Sequence, residues 1–264
     1  MTLSIIIPCF NERWRLSPTL SEIVDFTKRQ PGIIDEVVIV DDGSDDRTIE
    51  RALGYKDRLP LTLVQHTENQ GKWTALRTGI EVAKNNHVLL LDADGSASVR
   101  ELERMGIDYV TECLLKSKIA LFGSRFLPES RVDGKSNFRK VISRGYRLYV
   151  RTLFRLSTGK CAPDDMQCPF KLFPKDQLTI PLTAKQWAGD IELAASLKCR
   201  IDDVPISFVH KGGSKIQKNT ILTMAWLTAK LSWEIRGRLR GYNQEKGLKD
   251  SKSVRKVQKT VTKI

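Results

Sequence analysis

The residues best suited to chemistry are carboxylates that follow short apolar runs. Leu91-Asp92-Ala93-Asp94 places two of them at alternate positions directly after such a run. A pair of this kind can hold a hard divalent cation through oxygen, with phosphate oxygens filling the remaining positions. A cation there neutralises charge that builds on a departing diphosphate. The bland alternative is a solvated turn whose acids cap a helix, and an isolated pair would favour it. A second acid-tipped run shifts that balance: VVIV followed by Asp41-Asp42-Gly43-Ser44. These carboxylates can accept hydrogen bonds from a base edge or ribose hydroxyl, or cap the next helix. Asn11-Glu12 follows another apolar run, and Asn69-Gln70-Gly71-Lys72 opens a helical stretch. Backbone N–H groups at a helix start, together with Lys72, suit phosphate.

These residues need a scaffold, and the first half of the chain supplies its pattern. LSIIIP, DEVVIVDDGS, LTLVQH and HVLLLDADGS read as strands, and 16–28, 46–53 and 73–84 as helices. Continuous Val/Ile/Leu runs separated by helices indicate a mostly parallel α/β sheet covered on both faces. In such sheets ligands bind beyond the carboxyl ends of the strands, where both acid clusters fall. After Ser124 the pattern changes to an Arg-rich stretch, then short strand-like pieces (FKLF, DVPISFV), then an apolar-rich helix over 219–241.

Composition limits the function classes. The 264 residues carry a net charge of +13 and 41% hydrophobic residues, which fits a folded domain that attracts anions. Aromatic content is 7%, and the chain shows no RNP1-like strand, zinc spacing or helix-turn-helix pattern. A nucleic-acid-binding protein is therefore disfavoured. Five widely spread cysteines suggest free thiols in a reducing compartment. The N-terminal apolar run, Leu3 to Ile7, is too short for a signal peptide. No run approaches the roughly 18 apolar residues of a membrane span. The expectation is a cytoplasmic protein, peripheral to the cytosolic face of a membrane.

Taken in order, IIIPCFNE, VDDGSDDRT, NQGKWTALRTG, LLLDADGS and FGSR resemble glycosyltransferase family 2, which has the GT-A fold. DDMQCPFKLF, WAGDIELA and VPISFVHKGGSKI narrow the resemblance to its polyprenyl-phosphate branch. That branch includes dolichyl-phosphate β-glucosyltransferases and dolichol-phosphate mannose synthases. DADGS looks closer to the glucosyltransferase form. The resemblance implies an inverting, metal-dependent transfer of a hexose from a nucleotide-sugar donor (UDP-glucose or GDP-mannose type) to a polyprenyl-phosphate acceptor. It implies that Pro8, Phe10, Glu12 and Asp42 line the nucleoside site. Asp41, Lys72 and Ala93 join them around the donor. Asp92 and Asp94 would hold Mg²⁺ or Mn²⁺, and Arg125 and Lys215 would meet phosphates. Asp165 and Asp190 fall where the branch carries acids near the reacting sugar, and either is a candidate base if the acceptor is a hydroxyl. Four positions depart from the family pattern: Trp73 replaces a usual Gly, Pro169 another Gly, Ser96 a frequent Gln, and His210 an acid. The same fold acting on a soluble or polysaccharide acceptor is the rival enzyme.

Three regions follow: a catalytic domain over 1–218, an amphipathic interface or docking helix over 219–241, and a basic tail over 242–264 expected to be disordered or surface-bound. Within the first, a helix over 139–158 places Arg144, Arg147, Arg151 and Arg155 on one stripe, opposite Ile142, Tyr146, Tyr149, Leu153 and Leu156. Basic amphipathic helices of this kind suit an anionic membrane surface, and equally suit a core helix with a solvated Arg face. The second helix adds Trp226 and Trp233, with Arg236, Arg238 and Arg240 at its end. Nothing in the sequence sets the oligomeric state.

Overall fold

The computed structural model describes residues 1–133, 137–185, 188–211 and 220–261, with side chains outside 134–141, 186–187, 212–222 and 244–264. Lys215 therefore lies outside the described residues.

Four strands in the first half form as their apolar runs predict: β1 (Leu3–Cys9), β2 (Ile34–Asp41), β3 (Leu61–Gln65) and β4 (His87–Leu90). The helices between them are α1 (Leu16–Arg29), α2 (Thr48–Leu53) and α3 (Lys72–Val82). Two short helices, α4 (Glu101–Met105) and α5 (Ile107–Thr111), lead through one π turn to β5 (Ala120–Ser124). The second half adds β6 (Arg131–Asp133), α6 (Asn137–Thr158), β7 (Lys171–Pro174), α7 (Gly189–Ser196), β8 (Ile201–Pro205), β9 (Ser207–Val209) and α8 (Thr220–Val261).

The main sheet has seven strands in the order β3-β2-β1-β4-β7-β5-β8. All pairings are parallel except those of β7, which runs antiparallel between β4 and β5. The FKLF piece of the second half is thus inserted into the centre of the sheet. A second, two-stranded sheet pairs β6 with β9.

Alternation along the strands divides the core between two faces. Ile5 and Ile7 pack with Leu20, Ile23 and Phe26 of α1, while Ile6 packs with Trp73, Leu76 and Ile80 of α3. The helix α3 lies unusually close to the sheet, because a Cβ on Gly79 would stand 2.3 Å from Ile6 Cγ2. Strands covered on both faces explain the unbroken Val/Ile/Leu runs.

The helix α8 packs against α6 and α7, burying Thr228, Leu231, Ser232 and Ile235. It continues to Val261 through the segment expected as a disordered tail. No proline interrupts 242–261, and helix-favouring Lys, Arg, Glu and Gln are frequent there. The Arg stripe of α6 also differs from its expectation as one uniform solvated or membrane-facing row. Arg144 and Arg155 are exposed, but Arg147 and Arg151 both turn onto Asp164. Charge pairing inside the fold claims half of the stripe. No helix among the described residues is long and apolar enough to cross a membrane. The five cysteines are free, and burial pushes the Cys168 thiol up to about 12.

The close approach at Gly79 carries a prediction. Gly79→Ala gains helix propensity of about 1 kcal/mol, but overpacks a buried contact at a cost of about 1–3 kcal/mol. The methyl has no room because Ile6 is fully buried. A net loss is expected, read as a lower urea midpoint with an unchanged slope.

Candidate active site

The carboxyl ends of β1, β2, β4 and β5 open onto one cavity of about 520 Å³. Pro8, Phe10, Glu12, Asp42, Lys72, Asp92, Ala93, Asp94, Arg125 and Asp190 all line it, although they come from six separate parts of the chain. Strand-end topology brings them together, as the sequence pattern predicts.

The loop after β1 and the loop after β2 lock each other in place. Asn11 N–H donates to Ser44 Oγ, Glu12 N–H to Thr48 Oγ1 and Arg13 N–H to Asp46. Asn11 sits at φ 55°, and its amide oxygen accepts a bond from Asp45 N–H. Much of the polar character of VDDGSDDRT is spent on this scaffold. Asp41 is spent on the scaffold too. Its carboxylate accepts from Ser44 and Gln65, is wholly buried, and does not line the cavity. Asp42 does reach the cavity wall, but it also accepts N–H bonds from Gln70 and Gly71 at 3.0 and 2.8 Å and pairs with His66. Asp42 therefore shapes the 69–71 turn that leads into Lys72.

Three of the inner carboxylates each have a dedicated cation. Lys72 Nζ stands 2.6 Å from Asp92 Oδ1. Burial opposes the Lys72 charge, but Asp92, Asp190 and Asp94 outweigh it and hold the ammonium above its ordinary pKa. Lys171 Nζ stands 2.6 Å from Asp190 Oδ1. Arg125 binds Asp165 through Nε at 2.6 Å and Nη2 at 2.9 Å. Burial of Asp165 works against its charge, yet Arg125 holds its carboxyl below the usual range. That two-pronged grip places Asp165 behind Arg125. Asp165 is buried, does not line the cavity, and grips Arg125. Arg125 keeps one face toward the cavity and stacks over Phe208 at 5.0 Å.

Asp92 and Asp94 offer oxygen ligands to a hard cation. Asp94 Oδ1 also accepts Ser96 N–H, which fixes the turn through Gly95 at φ +61°. Among the described residues, no cluster of three or more His, Cys, Asp or Glu is placed to hold a metal. A cation at this pair would draw its remaining oxygens from a bound diphosphate and water, which fits the donor set.

The sequence reading missed Arg15, Gln167, Phe208, Lys211 and Met224, which also line the cavity. Lys211 follows β9, so the same strand-end argument could have found it. Its ammonium lies over the Asp94-Gly95 turn, 3.1 Å from where a Gly95 Cβ would stand. Lys171 carried a different signal, a lone lysine inside the apolar run PFKLF.

An acid-tipped, mostly parallel sheet with this cavity defines the GT-A glycosyltransferase fold. A solved structure of glucosyl-3-phosphoglycerate synthase from Mycobacterium tuberculosis, in complex with Mn²⁺, UDP-glucose and phosphoglyceric acid, is similar with a TM-score of 0.59 and 14% identity. The match covers 89% of this chain and 79% of that one. The model of glycosyl transferase family 2 matches residues 4–106. Dolichyl-phosphate beta-glucosyltransferase of Saccharomyces cerevisiae is 31% identical over 235 residues, covering 81% of this chain and 69% of its own length. The Drosophila melanogaster enzyme of that name is 29% identical, covering 82% of this chain and 69% of its own. The chain belongs to glycosyltransferase family 2.

Behind the site, Asp203 Oδ1 accepts Asp164 N–H, one residue before Asp165. Burial, with Asp164 adding like charge, pushes the Asp203 carboxyl up from 3.8 to about 6. A raised acid binds its proton more tightly in the folded state, so its contribution is full below pH 3.8 and is lost as pH rises to about 6. Asp203→Asn keeps an acceptor oxygen and removes the titration. Relative to wild type, the variant should gain stability between about pH 4 and 6 and hold that gain above it. Thermal melts across this range read the difference.

Proposed function

We propose that this chain is an inverting hexosyltransferase that moves a sugar from a nucleotide sugar, of UDP-glucose or GDP-mannose type, to a polyprenyl (dolichyl-type) phosphate at a membrane surface. One observation carries the reading. The helix α8 supplies Met224 to the cavity wall and, two residues later, the exposed Trp226. A single element thus joins a phosphate-suited cavity to an apolar surface. The relatives' names supply the acceptor class, dolichyl phosphate.

The nucleoside would lie against Pro8, Phe10 and Glu12, with the diphosphate beside Lys72 and the Asp92–Asp94 pair. Mg²⁺ or Mn²⁺ bound by Asp92 and Asp94 would neutralise charge on the departing diphosphate. Arg125 and Lys211 would hold the acceptor phosphate, while Asp190 faces the sugar. In the transfer, an oxygen of the acceptor phosphate forms a bond to the anomeric carbon on the face opposite the diphosphate. The bond to the diphosphate breaks and its electron pair leaves with it. A phosphate is already anionic at neutral pH, so no strong base is required. The chain's own work is then positioning and charge stabilisation by Lys72, Arg125 and Lys211.

The membrane contact would come from α6 and α8. Trp226 and Trp233 are 62% and 75% exposed and fall one heptad apart, on one face of α8. Leu148 and Leu156 of α6 are 68% and 69% exposed. The Tyr149 hydroxyl donates to Ala225 O at 2.8 Å, so the two apolar surfaces meet where the helices cross. Lys230 stacks over Trp226 and Arg236 over Trp233, an arrangement suited to an anionic interface. Attachment is peripheral in this reading, at the cytosolic face of a membrane.

The decisive experiment incubates the protein with polyprenyl phosphate, Mg²⁺ or Mn²⁺, and labelled UDP-glucose or GDP-mannose. Label should enter the butanol phase from one donor, and chelation should stop it. Asp94→Ala should lower the rate by roughly 10² or more, as for loss of a charge-stabilising contact. Transfer only to water-soluble acceptors would overturn the lipid assignment. Trp226→Ser with Trp233→Ser should weaken binding to anionic vesicles by about tenfold or more, with nucleoside diphosphate affinity unchanged.

A further inference from the structure

We propose that Trp73 is a positioning residue that, with Lys171, fixes the Asp190 carboxylate as the hydrogen-bond acceptor for a hydroxyl of the donor sugar. The proposal rests on the reading that a nucleotide sugar occupies the cavity.

Trp73 lies in the first turn of α3, directly after Lys72, and is 1% exposed. A buried indole must find an acceptor for its N–H. Here Nε1 donates to Asp190 Oδ2 at 3.4 Å. The other oxygen, Oδ1, takes Lys171 Nζ at 2.6 Å, and that ammonium also donates to Cys168 O. Both carboxylate oxygens are therefore held by protein donors, one from α3 and one from β7. Each oxygen keeps a second lone pair. The Asp190 side chain is still 17% exposed and lines the cavity.

Backbone contacts fix the same geometry. The Trp73 ring lies against Gly189, the first residue of α7, so closely that a Cβ there would stand 2.3 Å from ring atoms Cγ and Cδ2. Trp73 N–H donates to Lys185 O at 3.1 Å, and Arg77 Nη1 donates to Leu182 O at 3.1 Å. Helix α3 is thus pinned to the chain leading into α7. Asp190 cannot swing without breaking its bonds to Trp73 and Lys171, so a hydroxyl meets a carboxylate held in one orientation. Asp190 also acts on Lys72, which holds Asp92, and all three line the same cavity, so its carboxylate lies toward the end proposed for the diphosphate. A hydroxyl of the transferred sugar is the donor group expected at that end.

Trp73→Phe keeps an aromatic ring under Gly189 and deletes the N–H. Calorimetry would compare UDP and GDP, the matching nucleotide sugar, and its monodeoxy analogues. Loss of one hydrogen bond to a charged acceptor should weaken the nucleotide sugar by about tenfold. The nucleoside diphosphate should bind wild type and variant within about twofold of each other, because it lacks the hydroxyl in question. One deoxy analogue should bind both proteins alike. In ¹⁵N spectra the Trp73 indole signal, assigned by its loss in Trp73→Phe, should move in Asp190→Asn. It should also move on adding the nucleotide sugar more than on adding the nucleoside diphosphate. Equal nucleotide-sugar affinity in wild type and Trp73→Phe would overturn the positioning role, as would an indole signal unmoved by Asp190→Asn. A wild-type protein that binds no nucleoside diphosphate would instead overturn the reading of the cavity. The Asp190→Asn spectrum, which needs no ligand, would still decide whether the clamp exists.

Discussion

Everything at this site depends on neutralising carboxylates that the sheet forces together. Parallel strands deliver Asp92, Asp94, Asp42 and Glu12 to one edge, and α7 adds Asp190. Left alone, such charges repel one another and lose hydration. The fold answers with paired cations: Arg15 on Glu12, Lys72 on Asp92, Lys171 on Asp190 and Arg125 on Asp165. All but the local Arg15–Glu12 pair join distant parts of the chain: α3 to the turn after β4, β7 to α7, and the end of β5 to the segment before β7. Breaking one by removing a single partner leaves an uncompensated charge, which is far more damaging than deleting both.

The same pairing explains how a protein with net charge +13 has an acid-lined cavity. The excess positive charge is not concentrated there. Inside, cations and carboxylates alternate, so Lys72, Arg125 and Lys211 line the cavity within a framework already held in position. Preorganised charge of this kind works without reorganising during a reaction. Outside, α6 and α8 carry exposed Arg and Lys beside exposed Trp and Leu. The two surfaces demand opposite things of one helix. The face of α8 bearing Leu231 and Ile235 packs on the domain, while Trp226 and Trp233 point away from it.

The β7 strand links these two regions. It enters between β4 and β5 in the antiparallel sense and carries Lys171 into the sheet. A lysine that is 2% exposed is tolerated only because Asp190 and Cys168 O receive its donors. The insertion therefore places a second-half residue in the sheet built by the first half. The cavity becomes a joint product of both halves, with Arg125, Gln167, Asp190 and Lys211 facing Glu12, Lys72 and the Asp92–Asp94 pair.

The strands and helices of the first half were legible in the sequence, as were most cavity residues, because their signals are local. An apolar run ending in acids marks a strand edge, and α/β topology sends such edges to one place. The family motifs added the second half by order and spacing. What each carboxylate does was not legible. Asp41 and Asp42 are adjacent and chemically alike, yet the first is buried in its own loop and the second faces the cavity. Asp165 and Asp190 both read as acids near the sugar, but Arg125 grips the first and the cavity receives the second. Arg147 and Arg151 looked like part of a solvated stripe until Asp164, more than ten residues away, claimed them. Sequence alone determined which residue types reach the strand ends, since that follows from periodicity and chain direction. Only the tertiary structure decided which charges remain available, since a charge is used or spared by partners that are distant in sequence and near in space.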